Sequence, residues 1–335
     1  MSKENRKKTV LFVGSKLFGY YNQIITELER RGYKVDFYPE RNDYINSFVS
    51  FFKNRLNILN GLYRIHEYYI LNSIKSRRYD LFLLIRGERI SADFVKEIKD
   101  KHLKKHGETV YYSWDSSLNL KNSLNIRGLF DRSYTFDSED AEAYKDWRFL
   151  PLFYSDAYKI DGNNQSNEYI WDLGIVASFT EIRFDMVRKL KKDGFKIFSH
   201  LFLKRYLVIK QILFNKNYRE KYYKLIKCNS LSQDEIVCIY KKCKSVLDLP
   251  STTQTGLSMR TIECIGMKKK LVTSNQNIAN YDFYNESNIF ILNSNTQKHD
   301  LEKWINKEYE DINPQILENY SIQNWVERIL NDEIV

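Results

Sequence analysis

Strand and helix signals alternate along this chain, and the alternation occurs twice. In the first half, short apolar runs predict strands at residues 9–14, 33–38, 80–85 and 109–113. Between the first two runs, apolar residues fall at helical spacing until Gly32 ends the helix, and Ser91 can cap a later helix. Strands separated by helices favour parallel pairing, because a parallel connection needs a long crossover. The first half therefore predicts a doubly wound α/β sheet.

A polar stretch then divides the chain. Residues 161–167 have the composition of a linker, and the same alternation restarts behind them. The restart is marked by predicted strands at 173–177, 196–199 and 245–249, a helix capped by Thr180, and a capping box of Ser232 and Glu235. Two similar halves joined by a linker predict two Rossmann-like α/β domains that face a central cleft.

The predicted domains follow from this linker. We place an N-terminal domain at residues 1–158 and a C-terminal domain at residues 168–320. A helix signal at 314–330 carries Trp325 and Ile329 as apolar anchors. Residues 321–335 are therefore expected to form a C-terminal helix that can cross back to the first domain.

Composition limits the partners. Lys and Arg outnumber Asp and Glu by 53 to 43 in a chain of 335 residues, and this excess favours polyanions such as phosphates, anionic lipid or nucleic acid without choosing among them. The four cysteines show no metal-ligand spacing and are expected to be reduced and mostly buried. The apolar run after the basic start is far shorter than the ~20 residues of a membrane span. We expect a cytoplasmic protein.

The segment from Ser245 to Thr273 is the most informative one for function. It predicts a strand, a polar loop, a helix that starts near Gly256, a turn and a strand. A helix N-terminus can bind a diphosphate through its backbone N–H groups. Arg260 and Glu263 share a helix face with this position, so Arg260 suits the phosphates and Glu263 the ribose hydroxyls of a nucleotide sugar. An ordinary surface ion pair between the two residues is an equally open interpretation.

This segment resembles the donor-binding core of bacterial glycosyltransferases that build capsule and lipopolysaccharide and have the GT-B fold. The shared residues are Gln254, Gly256, Leu257, Met259, Arg260 and Glu263, then Lys269, Lys270, Leu271, Thr273 and Asn275, with N-terminal matches at 85–88, 114–116, 135–137 and 150–154. The similarity spans about residues 9 to 292. The resemblance implies sugar transfer from a nucleotide-sugar donor to a surface polysaccharide or its lipid-linked precursor.

The resemblance also implies site residues. Donor-binding positions are Gln254, Thr255, Gly256, Arg260, Glu263, Thr273 and Asn275. Thr255 stands where many retaining members of the class carry a second Glu, so the stereochemical outcome stays open. No metal is expected at the site, and no cofactor apart from the donor substrate.

The catalytic candidates lie in the first half. Glu88 and Asp115 each follow a predicted strand, the edge where α/β sheets bind ligands, and either carboxylate could act as base. Alternatively, Asp115 caps a turn, and Glu88 pairs with Arg86 or Arg89. Gly14 and Ser15 follow the first strand in a loop expected to border the cleft. Asp137 with Glu139 is interpreted as a loop cap rather than a metal motif.

Two basic stretches rich in apolar residues, 45–78 and 201–223, could lie on anionic lipid or simply form ordinary helices with one core face. Peripheral contact with the inner face of the plasma membrane is therefore an open alternative. A nucleic-acid-binding protein is the main rival function, and a catalytically silent scaffold of the same fold in polysaccharide assembly is a second.

Overall fold

The computed structural model describes residues 7–16, 19–41, 58–159, 168–222, 226–250, 255–293 and 295–331. These residues form two compact units. The first takes its residues from Met1–Leu152, Thr252–Gly256 and Ile322–Val335, and the second from Phe153–Ser251 and Leu257–Ser321. The predicted linker at 161–167 and Gln254 lie outside the described residues.

The first unit is built on a parallel sheet. Its described strands are β1 (Thr9–Gly14), β2 (Lys34–Pro39), β3 (Tyr79–Ile85), β4 (Leu103–Ser113), β5 (Arg132–Thr135) and β6 (Arg148–Phe149). They lie in the order β2-β1-β3-β4-β5-β6, and every pair is parallel. The central strands are buried, as their uninterrupted apolar runs predicted. The sequence analysis did not predict β5 and β6, which are short and contain polar residues.

Helices cover this sheet. They span Tyr20–Arg30, Ile58–Ser73, Ala92–Lys101, Asn122–Ile126, Ser138–Ala143 and Ile322–Asn331, with a 3₁₀ turn at Arg127–Leu129. The Ser91 hydroxyl accepts the hydrogen bond that starts helix Ala92–Lys101, which confirms the predicted cap. Phe94, Val95 and Ile98 of this helix enter the core.

The second unit repeats the arrangement. Its strands are β7 (Trp171–Ser178), β8 (Ile197–Phe202), β9 (Cys243–Asp248), β10 (Lys270–Thr273) and β11 (Ile289–Ile291). Their order is β11-β10-β9-β7-β8, again with parallel pairing. The helices span Glu181–Lys192, Arg205–Phe214, Lys216–Lys221, Gln233–Lys241, Met259–Gly266, Lys298–Ile305 and Pro314–Asn319, with 3₁₀ turns at Asp156–Tyr158 and Gln276–Asn280. The Thr180 cap and the capping box of Ser232 and Glu235 are both formed, as predicted.

Each strand order has one point where the chain reverses its direction across the sheet. In the first sheet this switch point lies between β1 and β3, and in the second it lies between β7 and β9. Crossover connections leave a crevice at such points, beyond the carboxyl ends of the strands. The residues that follow β1, β3, β7 and β9 are therefore the first places to look for a binding site.

The predicted helix at 314–330 is two helices. Pro314–Asn319 ends before Tyr320, and Ile322–Asn331 begins after a short break. The break is stabilised from outside the helix, because the backbone N–H of Tyr154 donates to the carbonyl of Tyr320. The second helix belongs to the first unit, where Trp325 packs edge-on against Tyr112.

One smaller expectation is wrong. Cys243 and Cys264 are buried, but Cys228 and Cys238 are exposed, so the expectation that most cysteines are buried does not hold. No helix of the described residues is long and apolar enough to cross a membrane.

Candidate functional site

A buried carboxylate lies at the carboxyl end of β9, beside the switch point of the second sheet. Asp248 is fully buried, and its two oxygens accept from Arg260 Nη1 at 2.5 Å, Ser258 Oγ at 2.9 Å and Thr261 Oγ1 at 2.9 Å. Ser258 also caps helix Met259–Gly266 through the N–H of Thr261. The helix therefore starts at Met259, three residues later than the expected start near Gly256, because Ser258 supplies the capping oxygen.

Arg260 is held from two sides. Its Nε donates to the carbonyl of Val176 in β7 at 2.9 Å, while Nη1 pairs with Asp248. Burial by itself lowers the pKa of Arg260, but the interactions with Asp248, Tyr240 and Glu263 together more than offset this, and the pKa is raised. The surface ion pair considered for Arg260 and Glu263 is thus wrong, since the carboxylate bound by Arg260 is the buried Asp248. The guanidinium bridges β7 and β9 across the switch point.

A second arginine, not singled out by the sequence analysis, lies in the same place. Arg183, in the first turn of helix Glu181–Lys192, donates through Nε to the carbonyl of Leu249 at 2.7 Å and through Nη1 to Ser178. Burial and the nearby charge of Arg260 lower the pKa of Arg183 to about 10, although Asp248 raises it. The sequence did contain a signal for Arg183, which lies three positions after the cap of a helix that follows a strand. Arg260 thus binds the Asp248 carboxylate directly, and Arg183 lies close enough for its pKa to be affected by the same carboxylate.

Glu263 is buried one turn further along the helix. The hydroxyl of Tyr158, in the 3₁₀ turn Asp156–Tyr158, donates to its carboxylate. Burial raises the pKa of Tyr158, and the negative charge of Glu263 raises it further. Tyr158 and Glu263 thus form a polar contact within the second unit.

Thr255 and Gly256 are bound by Asp137. The hydroxyl of Thr255 donates to Asp137 Oδ1 at 2.5 Å, and the N–H of Gly256 donates to Oδ2 at 3.1 Å. Asp137 also caps helix Ser138–Ala143, which confirms the predicted loop cap. A Cβ at Gly256 would lie 2.6 Å from the Phe136 ring. The N–H of Gly256, which was expected to face a diphosphate, therefore donates to a carboxylate in this structure. Because Gly256 has no side chain, there is room for Phe136.

Thr273 and Asn275 follow β10. Thr273 Oγ1 accepts from the N–H of Asn275 at 3.1 Å, and Asn275 Oδ1 accepts from the N–H of Asn277 at 3.0 Å. The second bond caps the 3₁₀ turn Gln276–Asn280. These two donor-site candidates thus shape the loop at the carboxyl end of β10, the neighbour of β9.

The catalytic candidates are brought together at the edge of the first sheet. Arg86 donates through Nε to Asp115 at 3.0 Å, and its Nη2 lies 2.7 Å from Glu88 Oε2. Glu88 also contacts Arg41 and lies 3.4 Å from Arg89. The structure therefore shows the alternative in which Glu88 forms ion pairs with Arg86 and Arg89. A direct catalytic role for Glu88 or Asp115 stays a prediction.

Glu40 is a member of this cluster that the sequence analysis missed. It follows β2, is 1% exposed, and accepts from the N–H of Glu88 at 2.9 Å. Its own N–H donates to the carbonyl of Gly14, which places the loop of Gly14 and Ser15 against the cluster. Burial raises the pKa of Glu40, although Arg86 and Arg41 lower it.

Backbone strain marks the same place. Arg86 has φ of 76° and is followed by Gly87 at 66°. A non-glycine residue in this left-handed region is uncommon and is found where the surroundings hold it. Here the Tyr111 hydroxyl donates to the carbonyl of Arg86 at 2.9 Å, and the Arg86 N–H donates to Tyr112. From this backbone position the Arg86 guanidinium contacts Asp115 and Glu88.

Within the part of the chain that the structure describes, no three His, Cys, Asp or Glu side chains are grouped so that they could hold a metal ion. The residues around Asp248 in the second unit and those around Arg86 in the first unit offer guanidinium groups, carboxylates and hydroxyls. These groups suit hydrogen bonding to phosphates and sugar hydroxyls.

Solved structures resemble this chain in fold. HepE (Alr3699) from Anabaena, in complex with UDP-glucose, matches with a TM-score of 0.60 at 10% identity, over 97% of this chain and 98% of that one. A glycosyltransferase from Rickettsia africae matches at 0.56 and 12% identity, over 98% and 100% of the two chains. AviGT4, a glycosyltransferase involved in avilamycin A biosynthesis, matches at 0.59 and 9% identity, over 96% of each chain. No protein-family model and no curated protein matches the sequence.

At these identities the likeness concerns the fold. The two parallel-sheet α/β domains have the GT-B fold of glycosyltransferases, as the sequence analysis predicted.

Proposed function

We propose that this protein is a glycosyltransferase that takes a sugar from a nucleotide-sugar donor. One observation carries the proposal. At the switch point of the second sheet, Arg260 is bound to Asp248 and Arg183 is bound to the carbonyl of the next residue, Leu249, which places two guanidinium groups where α/β sheets bind ligands. A diphosphate supplies the matching negative charge. The fold is shared with HepE, whose structure holds UDP-glucose.

The proposed donor site assigns a role to each group. Arg260 and Arg183 face the diphosphate, and Glu263 accepts hydrogen bonds from the ribose hydroxyls. Since Arg260 is fixed by Asp248 and Val176, its orientation is set before the ligand arrives, which reduces the entropy lost on binding. The remaining donor positions are Gln254, Thr255, Gly256, Thr273 and Asn275.

In the proposed reaction, an acceptor hydroxyl attacks the anomeric carbon of the donor sugar. The bond from that carbon to the β-phosphate oxygen breaks, and the nucleoside diphosphate leaves with the electron pair. Positive charge from Arg260 and Arg183 stabilises the negative charge that develops on the leaving group. Glu88 or Asp115 takes the proton of the acceptor hydroxyl. No metal enters this scheme.

We propose a growing surface polysaccharide or its lipid-linked precursor as the acceptor, and the cytoplasm, on the inner side of the plasma membrane, as the place of action. The sequence resemblance to capsule and lipopolysaccharide glycosyltransferases supports both parts. The basic excess of the chain is consistent with a diphosphate-linked or membrane-bound acceptor. Fractionation of cells with a high-salt wash tests the location, because a peripheral protein is released by salt.

The donor site is tested by calorimetry with UDP, GDP and CMP and with the matching bare nucleosides. For the nucleotide that binds, Arg183→Ala and Arg260→Ala should lower the affinity for the nucleotide more than the affinity for its nucleoside. The matched control is Arg188→Ala, an exposed arginine on the same helix as Arg183, which should change neither affinity. Circular dichroism verifies the fold of each variant. Unchanged diphosphate affinity in both folded variants would contradict the site, and binding without hydrolysis of any donor would favour the silent scaffold.

A further inference from the structure

Helix Arg205–Phe214 of the second unit is apolar on two sides. One side packs into the unit, where Val208 and Ile212 join a cluster with Tyr218 and Tyr222. The other side is in solvent. Ile209 is 48% exposed, Leu213 59% and Phe214 77%. Ile209 and Leu213 are four residues apart and lie on one helix face, and Phe214 follows Leu213 as the last residue of the helix. We call these three exposed side chains the apolar strip.

Exposed basic residues flank this strip along the chain. Lys204 and Arg205 lie exposed at the start of the helix, and Lys216, Arg219 and Lys221 lie exposed on the next helix, Lys216–Lys221. The two helices pack against each other. Glu220, an acidic residue among them, lies 4.0 Å from Lys216. We call this surface the basic apolar face, defined by residues 204–221.

We propose that the basic apolar face docks on an anionic lipid surface. Charge complementarity carries the choice of partner, because lysines and arginines around an apolar strip match phosphate headgroups above a hydrocarbon layer. Ile209, Leu213 and Phe214 would enter the boundary between headgroups and acyl chains, and the basic residues would contact the headgroups.

The proposal extends the proposed function, because a lipid-linked acceptor is met at such a surface, but it does not depend on it. Lipid docking is measured without any sugar. UDP binding, measured on the same samples, reports the donor site separately. A protein that binds vesicles and no nucleotide would refute the function alone, and the reverse result would refute the docking alone.

The experiment is sedimentation of the full chain with vesicles of phosphatidylcholine alone or mixed with phosphatidylglycerol. The protein should bind the mixed vesicles and be released by salt, since exposed charges are screened within about 8 Å at 0.15 M ionic strength. The variant Lys216→Glu, Arg219→Glu, Lys221→Glu should lose at least about tenfold in apparent affinity. The matched control Lys189→Glu, Lys192→Glu, Lys196→Glu makes the same charge change at exposed positions elsewhere in the unit and should bind normally.

The apolar strip has its own variant, Ile209→Ser, Leu213→Ser, Phe214→Ser. It should still bind mixed vesicles at low salt, through the basic residues, but dissociate at lower salt than the parent. Leu118→Ser, which replaces an equally exposed apolar residue of the first unit, should not shift this salt dependence.

Three results would overturn the proposal. The first is equal binding to neutral and anionic vesicles. The second is an equal loss of vesicle affinity in the charge variant and in its control. The third is a dimer in size-exclusion chromatography that becomes a monomer in the apolar variant. The last result would assign the face to a second copy of the chain.

Discussion

Arg260 and Asp248 form a buried ion pair, with the guanidinium and the carboxylate 2.5 Å apart and 13% and 1% of their side chains exposed. Removing one partner of such a pair is strongly destabilising, because the other charge stays buried without compensation. Asp248 additionally holds the hydroxyls of Ser258 and Thr261, so it connects β9 to the start of the next helix.

Asp248→Asn is therefore expected to lower the free energy of unfolding by about 3–5 kcal/mol. Denaturant unfolding followed by circular dichroism measures it. The matched control is Asp311→Asn, since Asp311 pairs with Lys268 at the surface with 83% of its side chain exposed. Exposed pairs contribute about 0–1 kcal/mol. Similar decreases in the free energy of unfolding for the two variants would show that the buried pair stabilises the protein no more than the exposed pair does.

Glu263→Ala should reduce nucleotide affinity about tenfold or more, because hydrogen bonds to a charged group contribute roughly 1.5–3 kcal/mol. Tyr158→Phe removes the hydroxyl that donates to this carboxylate and leaves the carboxylate in place. Its nucleotide affinity should change far less than that of Glu263→Ala. Calorimetry on both folded variants measures the nucleotide affinities. Equal nucleotide affinities of Glu263→Ala and the parent protein would show that Glu263 does not bind the ribose hydroxyls.

Gly256→Ala should destabilise the first unit, because the new Cβ would lie 2.6 Å from the Phe136 ring and 3.1 Å from its carbonyl oxygen. Gly256→Val should be worse, since it adds two methyl groups at the same place. The midpoint of thermal unfolding measures both changes. Adding Phe136→Leu to Gly256→Ala should restore part of the loss by making room. If the double variant melts no higher than the sum of the single effects predicts, the ring is not the cause.

Lys269 provides a pH test. Its ammonium is buried and donates to the carbonyl of Cys243 at 2.8 Å, and burial lowers its pKa to about 8. An unfolded lysine keeps a pKa near 10.4. Between pH 8 and 10 the unfolded chain therefore binds more protons at this residue than the folded chain. The contribution of Lys269 to stability rises with pH over this window and is lost as pH falls through about 8.

In Lys269→Met this contribution is absent. The unfolding free energy of the parent protein, minus that of the variant, should increase on the order of 2 kcal/mol from pH 8 to pH 10. Urea unfolding at several pH values measures the difference. Lys192→Met, at an exposed lysine of helix Glu181–Lys192, should give a difference that stays flat over the same range. A flat difference for Lys269→Met as well would mean that the buried amine keeps an ordinary pKa.

Local signals predicted the elements well. The caps at Ser91, Thr180 and Ser232 could be predicted because the capping oxygen and the N–H that donates to it are only three residues apart in the chain. The buried strands were visible as apolar runs for the same reason. The polar strand β5 and the two-residue β6 were missed, since their pairing depends on neighbours rather than on their own residues.

The site divides along the same line. The sequence by itself determined the alternation of strands and helices, and with it the polar residues that follow β3, β4 and β9 at the carboxyl ends of these strands. The strand order, and with it the switch points, was visible only in the tertiary structure. Only the tertiary structure decided the partners of these polar residues. Arg260 binds a carbonyl 84 residues away, and Glu40 accepts from a residue 48 positions on. Such pairs form because parallel strands far apart in sequence end at one edge of a sheet, and no periodicity within a single segment records that meeting.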